Sequence, residues 1–374
     1  MKLVNLIKKL TKKQFYLYIF LILSFVISIT FVNNNYSFYE QPIAEVIETE
    51  LIDTTEINDM YGNEDILYSQ RIIAILKNSD SKGKLIYLTN EYSLSKAYDN
   101  EYQAGQKIFV SIDQVKVENQ ELTGTIKEFK RDTYVLIAAW IFIFALIIIG
   151  KKQGFFSVIS LAVNAILLSY TLDIYINHPE ISLVLICGAS IFLFTCTSLL
   201  LVNGFNEKTY SAIIATILGT FSSLFIAYSV IWITSGNGLL QFLSSPYQMV
   251  FMAGLFIGSL GAVMDIAITM SSSLFSLYEK NNHITLKALR TSGREIGKDI
   301  MGTMTNILFF IYISGSIPFL LLYLKNDSLL GFTLSMNLSL ELYRALAGGI
   351  GIVLTIPIGI YTTIFFINRK KARL

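Results

Sequence analysis

The sequence predicts an all-α polytopic membrane bundle of about eight transmembrane helices, with a small extracytoplasmic all-β domain between helices one and two. Of the 374 residues, 53% are hydrophobic and only 15% are charged, and the mean hydropathy is +0.56. A soluble domain carries about a quarter charged residues, so this composition excludes an ordinary soluble enzyme. The apolar residues also cluster in segments close to the roughly 20 residues that span a bilayer, and one polar region separates the first two segments.

Eight apolar segments are the candidate transmembrane helices. They run from Phe15 to Val32, Tyr134 to Ile149, Phe155 to Leu172, Ile181 to Val202, Tyr210 to Thr234, Tyr247 to Phe275, Ile300 to Leu324 and Ala345 to Ile367. The first segment could instead be a cleaved signal peptide. Its apolar stretch is long for that role and no small-x-small cleavage pattern follows it, so we interpret it as an uncleaved anchor.

Basic residues predict the orientation of the chain. If the N-terminus is inside, the two termini and the inside loops hold 17 of the 29 Lys and Arg residues. The short outside loops hold only Lys325 and Arg344, and Arg344 is placed to pair with Glu341 at the rim. Because Lys and Arg accumulate in short cytoplasmic loops, we expect both termini to lie on the cytoplasmic side of the plasma membrane.

The polar region from Asn33 to Asp132 holds most of the chain's 27 acidic residues. Runs rich in Ile, Val, Tyr and Thr predict five strands, at Ile43–Ile52, Ile66–Leu76, Lys84–Thr89, Lys107–Val117 and Glu121–Phe129. We expect an antiparallel barrel or sandwich with a bulge at Asp113–Gln114. The predicted domains are the N-terminus and anchor (1–32), the extracytoplasmic β domain (33–132), a seven-helix bundle (133–368) and a basic cytoplasmic tail (369–374).

One face of the sixth segment carries three glycines and an acid at offsets of 0, 4, 7 and 11 residues: Gly254, Gly258, Gly261 and Asp265. Glycines at this spacing allow a second helix to approach closely, so we expect them to serve helix packing. Asp265 differs, because a carboxylate inside an apolar span is costly and indicates a functional site. The alternative is a solvated position, or a static ion pair with Arg294 or Lys298.

The seventh segment begins with polar residues at offsets of 0, 4 and 7 and a glycine beside them: Asp299, Thr303, Asn306 and Gly302. Lipid tails cannot form hydrogen bonds with such a stripe. The stripe must therefore pack on protein or line a wet cavity. Because the sixth and seventh segments are antiparallel neighbours, Asp265 can meet the stripe at a similar depth. Carboxylate, hydroxyl and amide oxygens suit a hard cation or a proton relay. The alternative is hydrogen bonding that only stabilises the bundle.

The loop between these segments, Glu279–Lys298, mixes apolar residues with five basic ones. It predicts an interfacial amphipathic helix whose cations contact lipid headgroups. The eighth segment repeats the glycine pattern, and we expect Gly348 and Gly351, together with Gly302 of the seventh segment, to serve helix packing. Pro318 and Pro357 are candidate kinks.

Several motifs resemble the YibE/F family of bacterial membrane proteins. They are Ile257–Asp265, Ser292–Asn306, Ala347–Gly351, the Gly105–Lys107 turn, the Lys151–Gly154 loop and the helix around Pro357. The resemblance covers nearly the whole chain. It implies an N-terminal anchor, an extracytoplasmic domain and a multi-pass bundle in the plasma membrane, without an established substrate or reaction.

The family's motif positions carry over to Gly258, Gly261, Asp265, Gly297, Asp299, Gly302, Thr303, Thr305 and Asn306. No catalytic role comes with them. The chain departs from the family's run at Ile307, where a further polar residue is expected.

Two classes of function stay open. The first is a transporter or permease in which Asp265, Asp299, Thr303 and Asn306 bind a cation, a proton or the polar end of a small-molecule substrate. The second is a non-transporting envelope accessory or assembly protein that presents its β domain to a protein partner. We expect no enzyme, cofactor or metal site, because the chain has two histidines and no H-E-x-x-H or nucleotide-binding motif. Its near-neutral charge gives no reason to expect nucleic-acid binding.

Overall fold

The computed structural model describes residues 12–96, 99–113, 122–178, 180–233 and 247–372. The chain divides into two compact units, residues 1–145 and residues 146–374. The first unit contains the anchor helix, the β domain and the beginning of the next helix. The second unit contains the remaining helices. A small β domain within an otherwise helical chain is therefore confirmed.

In chain order the elements are α1 Lys12–Asn34, β1 Ile43–Asn58, β2 Glu64–Leu76, β3 Leu85–Ser93, β4 Lys107–Ile112, β5 Leu122–Phe129, α2 Asp132–Asn177, α3 Leu183–Asn203, α4 Glu207–Ile233, α5 Tyr247–Lys280, α6 Leu286–Ser314, α7 Ile317–Lys325 and α8 Leu330–Lys371. Within the described residues, six helices are long and apolar enough to cross a membrane, and the bent pair α6–α7 adds a seventh if it forms one span. α2 contains both the second and the third predicted segments. The count of eight spans therefore stays a prediction.

The β domain is a closed barrel with the strand order β1-β2-β3-β5-β4. Neighbouring strands are antiparallel except for β3 and β5, which run parallel. The prediction of a purely antiparallel domain was wrong at this pair, because the connection from β3 to β4 crosses over and brings β5 beside β3. The order is that of an OB fold. Its core is formed by Ala44, Val46, Ile72, Ala74, Leu76, Ile86, Leu88, Tyr102, Ile108 and Val110.

The barrel has irregular features in β4 and in the turn before it. β4 is described to Ile112, and residues 114–117 of the predicted strand, with Gln114 of the predicted bulge, lie outside the described residues. Among the described residues, the register of β4 and β5 shifts between Phe109 and Val110. Before β4, Gly105 has φ +85°, a conformation that strains any residue with a Cβ.

The second unit is built around α8, which packs against α4, α5 and α6, while α3 packs against α4 and α5. Small residues allow the central helices to approach closely. A Cβ at Gly219 of α4 would collide with the Thr355 hydroxyl of α8, and one at Gly351 would lie 3.1 Å from Ser223. The Ser223 hydroxyl also donates to the Ala347 carbonyl over 2.7 Å. The α4–α8 interface is therefore tight and closed by direct contact.

The second and third predicted segments meet inside α2, which breaks at Lys151 with φ +50° and ψ −120°. A Cβ at Gly154 would collide with the carbonyl of Leu146, eight residues earlier. A straight helix separates such residues by about 12 Å along its axis. The chain therefore folds sharply at the predicted Lys151–Gly154 loop.

The prediction of a separate interfacial helix in Glu279–Lys298 was wrong. Most of this stretch forms the first turns of α6, which continues without a break to Ser314. Its apolar side packs on α8, where a Cβ at Gly293 would lie 2.9 Å from Ile360. Leu289 and Gly293 of this stretch thus face the bundle, whereas Leu286 and the charged residues are exposed.

Two further boundaries differ from the prediction. The seventh segment is divided between α6 and α7, which meet at a 50° bend. Pro318 stands in the first turn of α7 and lacks the N–H that would continue the preceding helix, so the expected kink is present there. α8 begins at Leu330 rather than Ala345, and it continues through Pro357.

Candidate intramembrane site

The glycine and aspartate face of α5 lies on the outside of the second unit. All four of its residues are exposed: Gly254, Gly258, Gly261 and Asp265. The opposite side of α5 is buried, with Phe256, Val263 and Ile266 at most 1% exposed. One helix thus presents an apolar face to the bundle, while Asp265, Gly254 and Gly261 lie in open space or at the surface and Gly258 borders Tyr312 of α6.

The polar stripe of α6 is exposed as well. Its four residues are Asp299, Gly302, Thr303 and Asn306. On the other side of the helix, a Cβ at Gly297 would meet Ile356, and Leu308 lies against Gly348. At 100° per residue the stripe is about half a turn from Gly297, so it points away from α8. We call this stripe and the exposed face of α5 together the outer α5–α6 face.

Contacts between α5 and α8 show at which level along the bundle Asp265 lies. Val263 of α5 lies 3.1 Å from the Cβ position of Gly351. Met270 lies 3.4 Å from the Cβ position of Gly359. Asp265 therefore lies level with the part of α8 between these two glycines.

Asp299 lies at the same depth. Gly297, two residues before it, packs directly on Ile356 of α8. Ile356 lies between Gly351 and Gly359, the two levels that bracket the carboxylate of α5. The predicted site residues of α5 and α6 are thus brought to one level of the bundle, on faces that both point outward.

The two carboxylates have no hydrogen bond or ion pair with any residue that the structure describes. Lys298, the alternative partner for Asp265, pairs instead with Glu295 over 3.0 Å, and Arg294 forms no ion pair in the described ranges. Among described residues, no group of three or more His, Cys, Asp or Glu side chains is placed to hold a metal ion.

The six glycines expected to serve helix packing divide into two groups. Gly258 faces the Tyr312 hydroxyl, Gly348 faces Leu308, and Gly351 is in close contact with α4. The other three have open space where a Cβ would lie: Gly254, Gly261 and Gly302. All three of these glycines belong to the outer α5–α6 face, so this face has open space beside Asp265 and Asp299.

One end of the second unit gathers the chain's basic segments. Glu279 at the end of α5 pairs with Lys208 of α4 over 3.0 Å and with Lys370 of α8 over 3.7 Å. The beginnings of α4 and α6 and the ends of α5 and α8 are the segments that the charge pattern assigns to the inside. At the other end of the apolar part of α8, the predicted Glu341–Arg344 ion pair forms at 2.5 Å.

A buried ionic network in the first unit was not predicted. Lys130, 4% exposed, donates from Nζ to Asp132 Oδ2 over 2.5 Å and to the Val32 carbonyl at the end of α1 over 3.1 Å. The Tyr39 hydroxyl donates to the same carboxylate over 3.0 Å. Burial, together with this carboxylate, raises the pKa of the Tyr39 phenol, which therefore remains a donor.

A second lysine repeats this arrangement. Lys107 of β4 donates to the Asn33 carbonyl over 2.8 Å. The last carbonyls of a helix lack partners within the helix, and a nearby ammonium satisfies them. Two strand-end lysines thus fix the barrel to the end of α1. The local sequence gives no signal for this, because each donor lies more than 70 residues from its acceptor.

The barrel wall carries an open groove of about 690 Å³ across β1, β2, β3 and β5. Its charged and aromatic lining includes Glu48, Glu50, Arg71, Tyr87 and Asp113. Side chains of β2 and β3 both contribute to this groove.

Comparison with known proteins gives the family. The family model described as YibE/F-like protein matches residues 138–369, and the YibE/F family N-terminal domain matches residues 37–129. No curated protein and no solved structure matches the chain. The first match covers the helical bundle with the outer α5–α6 face, and the second covers the barrel. The chain therefore belongs to the YibE/F family.

Proposed function

We propose that this membrane protein is a permease of the plasma membrane, with both termini cytoplasmic and the barrel outside. It moves a cation, a proton or a small polar molecule along the outer α5–α6 face. One observation carries the proposal: Asp265 and Asp299 lie at one depth on two neighbouring helices, exposed and without a partner among the described residues.

The carboxylates are the reason to assign transport to this face. An ionised acid exposed to hydrocarbon is costly, and such residues in membrane proteins face water or protein and mark ion or substrate pathways. The hydroxyl of Thr303 and the amide of Asn306 extend the polar surface along α6. The face must therefore be covered by water or by protein rather than by lipid alone.

Between α4 and α8, the described contacts leave no comparable route. At the centre of the α4–α8 interface, Gly219 contacts Thr355 and Gly351 contacts Ser223, which leaves no space between the helices. On the outer α5–α6 face, in contrast, the open glycine positions leave room beside Asp265. A solute of modest size would be accommodated here without moving a packed side chain.

Flux measurements in proteoliposomes test this proposal. We expect the wild-type protein to dissipate a potassium or proton gradient faster than empty vesicles do. Asp265→Asn and Asp299→Asn should each lower this flux at least about tenfold, because each removes a charge at the site. The matched control is Asp173→Asn, which removes an exposed acid from α2 and should leave the flux unchanged. Full flux in Asp265→Asn would refute the site.

The second candidate function is that of an envelope accessory protein that presents its barrel to an extracytoplasmic partner. The observation in its favour is the open groove on a barrel that is fixed to α1 by Lys130 and Lys107. A groove on a barrel that is held to α1 in this way suits presentation to a partner.

Reversal of charge in the groove distinguishes the two functions. Glu48→Lys with Glu50→Lys leaves the helices untouched and inverts the charge of the groove wall. The permease proposal predicts unchanged flux in proteoliposomes for this variant. An accessory protein would lose its cellular phenotype with this variant and keep it with Asp265→Asn.

A further inference from the structure

A small cleft opens between α6 and α8 beside Pro357. Its volume is about 130 Å³, and its lining is Arg290, Arg294, Ile356, Pro357, Ile360 and Tyr361. Ile356 and Ile360 are buried and form an apolar floor, while the two arginines are exposed. The cleft combines two fixed positive charges with an apolar wall.

The two arginines carry uncompensated charge. They lie one helical turn apart, which places their Cβ atoms about 6 Å from each other. Neither forms an ion pair with a carboxylate in the part of the chain that the structure describes, and the nearby Glu295 is occupied by Lys298 at 3.0 Å. The cleft is therefore electropositive and suited to an anion.

The arrangement of these groups favours a phosphate. The guanidinium carbon of Arg290 lies 5.5 Å from the centroid of the Tyr361 ring, a cation–π contact that limits the orientation of the guanidinium. A planar guanidinium binds two phosphate oxygens at once, and a second arginine one turn away can reach the remaining oxygen.

An apolar row on α8 indicates where the phosphate comes from. Ile350, Val353, Pro357 and Tyr361 follow one another at spacings of three and four residues and are all exposed. An exposed apolar row of this kind offers a surface on which an acyl chain can pack. An acyl chain lying along this row would place its headgroup at the cleft.

We propose that this cleft binds the phosphate of an anionic glycerophospholipid, with one acyl chain along the exposed row of α8. The site is separate from the outer α5–α6 face and does not depend on transport. Arg290 and Arg294 hold the phosphate oxygens, and Tyr361 positions Arg290.

Lipid titration of the full-length protein in a neutral detergent tests the proposal. Native mass spectrometry would measure the affinity for phosphatidylglycerol, with phosphatidylcholine and inorganic phosphate as separate arms. We expect Arg294→Gln to weaken phosphatidylglycerol binding about tenfold and the Arg290→Gln/Arg294→Gln pair by more, because each change removes a charge-assisted hydrogen bond. The control is Lys287→Gln, which removes an exposed cation of α6 outside the cleft and should bind normally.

The conservative change Arg294→Lys separates charge from geometry. It keeps the positive charge but loses the planar fork, so we expect an affinity between wild type and Arg294→Gln. Equal phosphatidylglycerol affinity in the double glutamine variant and in Lys287→Gln would overturn the site. Displacement of the lipid by inorganic phosphate at equal concentration would overturn the lipid assignment, because the acyl row would then contribute nothing.

Discussion

Replacing Lys130 with Met tests the network that joins the barrel to α1. Methionine keeps the apolar stem of the side chain and removes the ammonium that bonds Asp132 and the Val32 carbonyl. Breaking a buried ion pair costs about 3–5 kcal/mol when one charge is left behind. The Asp132 side chain is 25% exposed and keeps the Tyr39 hydrogen bond, so water offsets part of this loss. We expect the barrel to lose about 2–3 kcal/mol of its free energy of unfolding.

Pulse proteolysis of the full-length protein in detergent, over a urea series, would measure this loss. A domain of this size has a urea m-value of about 1 kcal/mol per M, so the midpoint should fall by about 2–3 M. Lys127→Met is the control, because it removes the same charge from an exposed position on β5. It should change the free energy of unfolding by no more than about 0.5 kcal/mol.

Two outcomes would refute this reasoning. The first is a Lys130→Met midpoint equal to that of Lys127→Met. The second concerns the double variant Lys130→Met/Asp132→Asn, which removes the stranded carboxylate and should recover part of the lost stability. A double variant that is less stable by the full sum of the two single changes would show that the two side chains do not act as a pair.

Three further predictions concern the bundle, the barrel and the topology. Gly219→Leu should lower the thermal midpoint of the bundle, because overpacking against Thr355 costs about 1–3 kcal/mol; an unchanged midpoint would contradict the tight α4–α8 contact. Gln70→Leu should destabilise the barrel by about 2–3 kcal/mol in the urea assay, because buried Gln70 bonds both the N–H and the carbonyl of Tyr102; wild-type stability would contradict this. A reporter fused after Leu374 should be active only in the cytoplasm, and one inserted at Gly62 only outside; the reverse pattern would invert the proposed orientation.

The β domain could be predicted from local patterns, but its topology could not. Runs rich in Ile, Val, Tyr and Thr identified all five strands, because β-branched and aromatic side chains favour strands. The parallel contact of β3 with β5 depends on how the chain crosses over between β3 and β4. No residue within either strand encodes that choice.

The candidate site residues could be predicted because charge is scarce within the apolar segments. Asp265 is conspicuous in an apolar run, and helical periodicity placed it with three glycines. Helical periodicity shows which residues share a face. It does not show whether that face points into the bundle or away from it. Glycine stripes are typical of buried contacts, yet Gly254 and Gly261 face outward here, because the larger side chains of α5 supply the packing against α3 and α8.

The arginine cleft and the lysine network could not be predicted from the sequence, for the same reason. Arg290 and Tyr361 lie 71 residues apart in sequence and meet only when α6 packs on α8. Lys130 precedes a predicted transmembrane segment and resembles an ordinary flanking cation. Contacts of this kind are set by tertiary packing, so a single sequence does not reveal them.

Thiol labelling beside Asp265 tests most directly whether the outer α5–α6 face is wet. Gly261→Cys, in a Cys187→Ser/Cys196→Ser background, places a thiol in open space one turn from the intact carboxylate. We predict that a membrane-impermeant maleimide labels this thiol in the assembled membrane. Phe225→Cys, on an exposed apolar face of α4, should react only with a lipid-soluble maleimide. Labelling of Gly261→Cys by the lipid-soluble reagent alone would place the face in hydrocarbon and contradict the proposed permease site.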